Sequence, residues 1–163
     1  MNAIFQRTSV RKYENKEIEN EKIELLLKAA MSAPSAANQQ PWEFYIVKDK
    51  DIIDKLSNCS PYAKCVKGAP VAIVNCYRKD IEMPEYAEID LSACTENILL
   101  EAVELGLGAV WIGIAPLVDR MQSVKDILGI PDHLHAFAII PVGYPINEDN
   151  QQDRYDKTRV HYK

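Results

Sequence analysis

Two arginines four residues apart, Arg7 and Arg11, bracket two hydroxyls, Thr8 and Ser9, in the segment RTSVRKY, and no acid appears before Glu14. Guanidinium groups match the oxygens of a phosphate and hold their charge at any working pH. A single helical turn would put both arginines on one face, and the Ser9 hydroxyl adds a further donor. A solvated basic N-terminus would show the same spacing. A second candidate is APSAANQQPWEF, neutral up to its glutamate and rich in small residues. Such a loop lets backbone amides approach a flat ligand, and Asn38, Gln39 and Gln40 can read the polar edge of a ring. An ordinary helix-to-strand connector has the same composition.

Other phosphate-binding patterns fail. The glycines of GLGAVWIG, at 106, 108 and 113, do not follow G-x-G-x-x-G. They also come after a helical pattern and lead into a strand-like one, the reverse of the dinucleotide-binding order. No G-x-x-x-x-G-K-[ST] occurs, so side chains would have to hold any phosphate. Neither a Ser/His/Asp nor a Cys/His arrangement is visible. His133 and His135 form the one close histidine pair, with a weak pattern for a metal, and no metal site is expected. No dedicated catalytic acid or base stands out. The candidate site is apolar and neutral, which points to a bound cofactor that brings its own chemistry.

The elements that must position these residues are read from periodicity. Asn2 to Gln6 reads as one or two helical turns. Ile23, Leu26, Leu27, Ala30 and Met31 recur at helical spacing, and that helix stops at Pro34. Trp42 to Val47 reads as a strand, Ile52 to Leu56 as a short helix, and Val71 to Tyr77 as a buried strand. The longest helix runs roughly from Ile89 to Leu105, apolar over a wide arc, with Gly106 as its C′ residue. Ala109 to Ile114 reads as one strand. Asp119 can cap a helix that closes at Gly129. Ala136 to Tyr144 is the last strand, with Pro141 demoting its far half towards an edge.

With 163 residues, 47% of them hydrophobic, the chain is expected to form one domain. Its net charge of −5 argues against a general nucleic-acid binder. The four cysteines are scattered and form no C-x-x-C, which suits a reducing compartment. No signal peptide or apolar run of membrane-spanning length is seen, and a cytoplasmic protein is expected.

Taken in order, RTSVRKY, APSAANQQPWEF, KGAPVAIV, GLGAVWIG and VGYP resemble the FMN-dependent nitroreductase family over nearly the whole chain. The resemblance implies an α+β fold, with a central, mostly antiparallel sheet flanked by helices. It implies an intertwined homodimer that holds FMN at the subunit interface, with a C-terminal dimer arm over residues 146–163. By this likeness Arg7, Thr8, Ser9 and Arg11 hold the FMN phosphate and ribityl end. Pro34, Ser35 and Asn38 cover the flavin from the partner chain, and Ile112 and Gly113 lie along its N5 edge. Arg154 returns to the phosphate, with Arg159 as second choice. The implied activity is NAD(P)H-dependent reduction of nitroaromatic, quinone or similar flat acceptors by a ping-pong mechanism. Alternatives are an FMN-binding or redox-sensing protein without efficient turnover, or a specialised relative that dehalogenates aromatics or fragments flavin. The chain is shorter than larger members, which implies an open substrate side, and Ile112 stands where some members carry glutamate.

Overall fold

The computed structural model describes residues 2–147 and 153–163. Helix α1 spans Ala3–Gln6 and α2 spans Asn20–Met31. In α2 the buried residues Ile23, Leu26 and Ala30 form one apolar stripe. Helix α3, Lys50–Leu56, is started by Asp49, whose Oδ1 accepts from the backbone N–H groups of Asp51 and Ile52, both at 3.0 Å. Helix α4, Ala87–Glu104, is the longest and buries Leu91, Cys94, Ile98, Leu99 and Ala102. Gly106, at φ 70°, ends it in the left-handed conformation expected of a C′ residue. Helix α5 spans Val118–Leu128 and closes at Gly129, at φ 64°. It starts two residues earlier than the sequence indicates: Asp119 lies in the first turn and Leu117 takes the cap position.

Strands β1 (Trp42–Val47), β2 (Val71–Arg78), β3 (Gly108–Ala109), β4 (Ile112–Gly113) and β5 (Leu134–Gly143) form one sheet, in the order β1-β2-β5-β3 with β4 also on β5. Every strand pair is antiparallel, so the α+β architecture that the family resemblance implies is the one observed. Alternation along the strands divides the core. Ile73 and Ile140 pack with Leu26, Leu91 and Ile98 on the side of α2 and α4. Val74 and Ile139 pack with Leu56 and Val124 on the side of α3 and α5.

Two strand expectations are corrected. The run Ala109 to Ile114 is two short strands, and Pro141 is buried inside the sheet rather than near an edge. The two facts share a cause. Ala109 pairs with Val142 and Ile112 with Ile139, so Val110 falls opposite Pro141. A proline cannot donate to the ladder there, and the pairing breaks for two residues. The Pro141 carbonyl accepts instead from the Tyr13 hydroxyl at 3.2 Å.

Candidate functional site

Residues 7–13 form a strip that is neither a helical turn nor a named strand, with Tyr13 in an isolated bridge to Pro145. The Val10 N–H donates to the Ala109 carbonyl at 3.0 Å, and the Glu14 N–H to that of Tyr144 at 2.8 Å. These bonds lay the strip along β3 and the end of β5. Val10 and Tyr13 are buried, and the Tyr13 hydroxyl also reaches the Val10 carbonyl at 2.6 Å. Burial in this apolar seam pushes the Tyr13 phenol well above its ordinary range. The strip can come so close because position 108 is glycine: a Cβ there would lie 2.7 Å from the Val10 side chain.

Arg7, Thr8, Ser9 and Arg11 flank the buried Val10 in this strip, and none of them lies in the helical turn that the spacing allows. Arg7 is drawn inward, its side chain 16% exposed, with Nε 3.4 Å from the Glu96 carboxylate on α4. Thr8 and Ser9 are half-buried, and Arg11 is exposed, one Nη donating to the Ser9 carbonyl at 3.2 Å.

The 34–40 loop is held in an unusual shape. Ala37, Asn38 and Gln40 all have positive φ, at 48°, 53° and 46°. Non-glycine residues in that region cost about 1–3 kcal/mol each and persist only where the surroundings enforce them. The enforcement comes from α4 and β2. Asp90, 4% exposed, accepts from the Ala36 N–H at 2.9 Å and from the Gln39 side-chain amide at 2.7 Å. The Gln39 amide also exchanges bonds with the Met83 backbone, at 3.1 and 3.0 Å. Arg78 donates to the carbonyls of Gln39 and Gln40, at 3.3 and 2.8 Å. The Ser35 hydroxyl accepts from the Gln40 N–H at 3.0 Å. Pro34 and Asn38 are exposed on the loop's outer side. Gln39, expected to read a ring edge, is instead an internal brace.

Ile112 is buried and Gly113 exposed, with open space where a Cβ would stand. A flat ligand could therefore lie against the Gly113 backbone. Arg120 on α5 donates to the Gly113 carbonyl at 3.3 Å, and its guanidinium stands 5.6 Å from the centre of the Tyr62 ring.

Arg154 and Arg159 are exposed. The hydrogen bonds and ion pairs of residues 153–163, among the described residues, stay inside that segment: Asp156 caps a short turn over Lys157–Arg159 and pairs with Arg159 at 3.1 Å. Within one chain the structure brings neither arginine to the 7–11 strip. Of the expected dimer arm, residues 148–152 lie outside the described residues.

Sequence reading missed Asp90, Glu96 and Arg120. For Asp90 a signal existed. It sits among Ala87, Leu91 and Cys94, all buried on α4, and a carboxylate amid such an apolar arc must be satisfied internally. Nothing in the spacing pointed to Glu96 or Arg120, whose partners come from distant segments. Among the described residues, no cluster of His, Cys, Asp or Glu could hold a metal, and no helix is long and apolar enough to cross a membrane.

Comparison with known proteins bears on this geometry. The family model described as the nitroreductase family matches residues 4–61 and 57–144. A protein of Methanothermobacter thermautotrophicus, provisionally named NADH dehydrogenase/NAD(P)H nitroreductase, is 41% identical over 162 residues, covering 99% of this chain and 85% of its own. The solved FMN-dependent nitroreductase of Clostridium difficile R20291 superposes with a TM-score of 0.92 at 32% identity, over 99% of this chain and 97% of that one. A Desulfovibrio desulfuricans protein solved in complex with FMN, and provisionally named a nitroreductase, gives a TM-score of 0.85 at 28% identity, over 99% and 94% of the two chains.

Proposed function

The chain belongs to the nitroreductase family, and on that premise we propose that it is an FMN-dependent oxidoreductase, drawing on NADH or NADPH to reduce nitroaromatic, quinone or similar flat acceptors. The observation that carries this reading is the strip from Arg7 to Arg11, bonded through the Val10 N–H to Ala109 of β3, which lies just before β4 and the open backbone of Gly113. Two guanidinium groups and two hydroxyls suit a phosphate monoester, and an exposed glycine backbone suits the edge of a flat ring. The donor set therefore fits FMN.

Each residue then has a distinct role. Arg7 uses Nε on Glu96, which leaves its terminal nitrogens to face the phosphate; Arg11, Thr8 and Ser9 complete the cradle. Pro34, Ser35 and Asn38 form a rigid outer loop that packs over the flavin of the partner chain. Ile112 and Gly113 present backbone to the N5 edge. Bound FMN supplies acceptance of hydride from NAD(P)H and delivery of electrons to the acceptor. The protein holds the ring, favours negative charge beside it and leaves one face open. No side-chain acid or base is required. Donor and acceptor share the open face, so turnover is ping-pong.

The assembly we propose is a homodimer of single-domain chains with FMN at the interface. The exposed C-terminal segment, with Tyr155 and Tyr162 at 74% and 88% exposure, serves as an arm over the partner and carries Arg154 towards the phosphate. We place it in the cytoplasm. The test is purification and kinetics. The protein should be yellow and release FMN on denaturation, and double-reciprocal plots of NAD(P)H against a quinone should give parallel lines. A colourless protein that binds no FMN, or intersecting lines with a ternary complex, would overturn the cofactor and the shared site respectively.

A further inference from the structure

Arg120, like several other cations of this acidic chain, makes no ion pair among the described residues, and it contacts the open backbone of Gly113. Its partners are neutral: the Gly113 carbonyl at 3.3 Å and the π-face of Tyr62 at 5.6 Å. The ion pairs among the described residues engage Arg7, Lys28, Lys67, Lys125 and Arg159, and none of them includes Arg120. Carbonyl and ring hold the guanidinium in place without neutralising it. The turn before residues 63–68, distant in sequence, meets β4 and the nearby start of α5 here. The residues around them are open. Gly113 has free space above it, Tyr62 is 72% exposed, and Leu117 and Val118 at the start of α5 are exposed too. The result is a fixed, uncompensated positive charge bordered by an aromatic plate and two aliphatic side chains.

We propose that Arg120 selects for redox partners that carry an oxyanion, by pairing with that group while the flat part of the molecule stacks over the ring beside Gly113. This rests on the function proposed above, since it takes Gly113 to lie along the flavin edge. A guanidinium suits this role because it is weakly hydrated, always charged and able to bond an oxyanion with two parallel N–H groups. The shared chemistry is a phosphate, sulfonate or carboxylate some ångströms from a planar redox group. It comes either from the dinucleotide phosphates of the donor or from an acidic substituent on the acceptor. Arg120 is a specificity residue in this scheme; hydride and electron transfer need nothing from it.

The experiment compares charged and neutral versions of each partner on the FMN-loaded protein and its Arg120→Gln and Arg120→Lys variants. The donor arm sets NADH and NADPH against 1-benzyl-1,4-dihydronicotinamide, which carries no phosphate. The acceptor arm sets 1,2-naphthoquinone-4-sulfonate against menadione. In Arg120→Gln the ratio of charged to neutral KM should rise about 10-fold in one arm, the size of one charge-assisted contact, with kcat for the neutral partner little changed. Arg120→Lys should recover part of the loss. The arm that responds names the source of the oxyanion. Raising the salt concentration with the wild-type protein should weaken the same partner and spare its neutral counterpart, a readout that needs no variant. Equal KM changes for charged and neutral partners, a fall in kcat with the neutral ones, or no salt dependence would overturn the inference. A wild-type protein that binds no FMN would overturn the proposed function and this inference with it.

Discussion

The Nε of Arg7 lies 3.4 Å from Oε1 of Glu96, which ties the N-terminal strip to the middle of α4 and leaves the outer nitrogens of the guanidinium for a ligand. Glu96 is half-exposed, so this pair contributes at most about 1 kcal/mol to stability. The phosphate contact proposed for Arg7 would be worth more. Arg7→Ala should weaken FMN on the order of 10- to 150-fold, from about 1.5–3 kcal/mol for a charged contact, and should change riboflavin affinity little. Arg7→Lys should recover part. Lys12→Ala, at an exposed side chain whose backbone alone bonds Ile146, is the control. Fluorescence titration of the apoprotein decides: equal losses for FMN and riboflavin would assign Arg7 to the fold.

Gly108 and Val10 make a pair of another kind. With a Cβ 2.7 Å from the Val10 side chain, Gly108→Ala should lift the strip from β3, cost about 1–3 kcal/mol by overpacking and lower FMN affinity together with the melting temperature. Combining it with Val10→Gly, which removes the Val10 Cβ that also lies 2.7 Å away, should restore part of both. Independent, additive losses in urea unfolding would show that the clash is relieved elsewhere.

Asp90→Ala removes the acceptor for Ala36 and Gln39 at once. Leaving those donors unpaired in a buried place should cost about 1–3 kcal/mol, and the positive-φ loop should relax from its present shape. FMN affinity is expected to fall with stability. Stability that falls while FMN affinity holds would remove the 34–40 loop from the flavin site.

His135 stacks on Tyr77, with ring centres 5.0 Å apart and planes 3° from parallel. Burial and the positive charges of Lys79 and Lys125 hold its imidazole below the ordinary histidine range. Between about pH 6.5 and this depressed value the unfolded chain binds the proton and the folded chain does not. The contribution of His135 is thus fully present above about pH 6.5 and is lost as pH falls through the folded value. His135→Phe keeps a ring on Tyr77 and should flatten the decline in melting temperature across that window. An unchanged decline would assign it to other groups.

Removal of residues 151–163 should weaken both self-association and FMN binding, because obligate interfaces commonly bury about 2,000 Å² or more and residues 153–163 are almost wholly exposed on one chain. Sedimentation at low protein concentration is the measure. A truncated chain that stays dimeric and yellow would refute the arm.

What the sequence determined by itself was the order and type of the elements. The apolar periods of α2, α4, β1, β2 and β5 are local, so burial of one face follows from the pattern alone, and Gly106 and Gly129 end their helices for a reason carried in one residue. The phosphate-suited residues were legible for the same reason: charge and hydrogen-bonding type belong to the side chain. Tertiary structure decided the rest. The strip over residues 7–13 is not the helical turn its spacing allows, because the backbone of Val10 and Glu14 finds partners in Ala109 and Tyr144, far along the chain. Pro141 sits inside the sheet because the pairing breaks opposite it and Tyr13 takes its carbonyl. The bracing of the 34–40 loop by Asp90, and the placing of Arg120 between Gly113 and Tyr62, depend on contacts between segments whose separation no local pattern records.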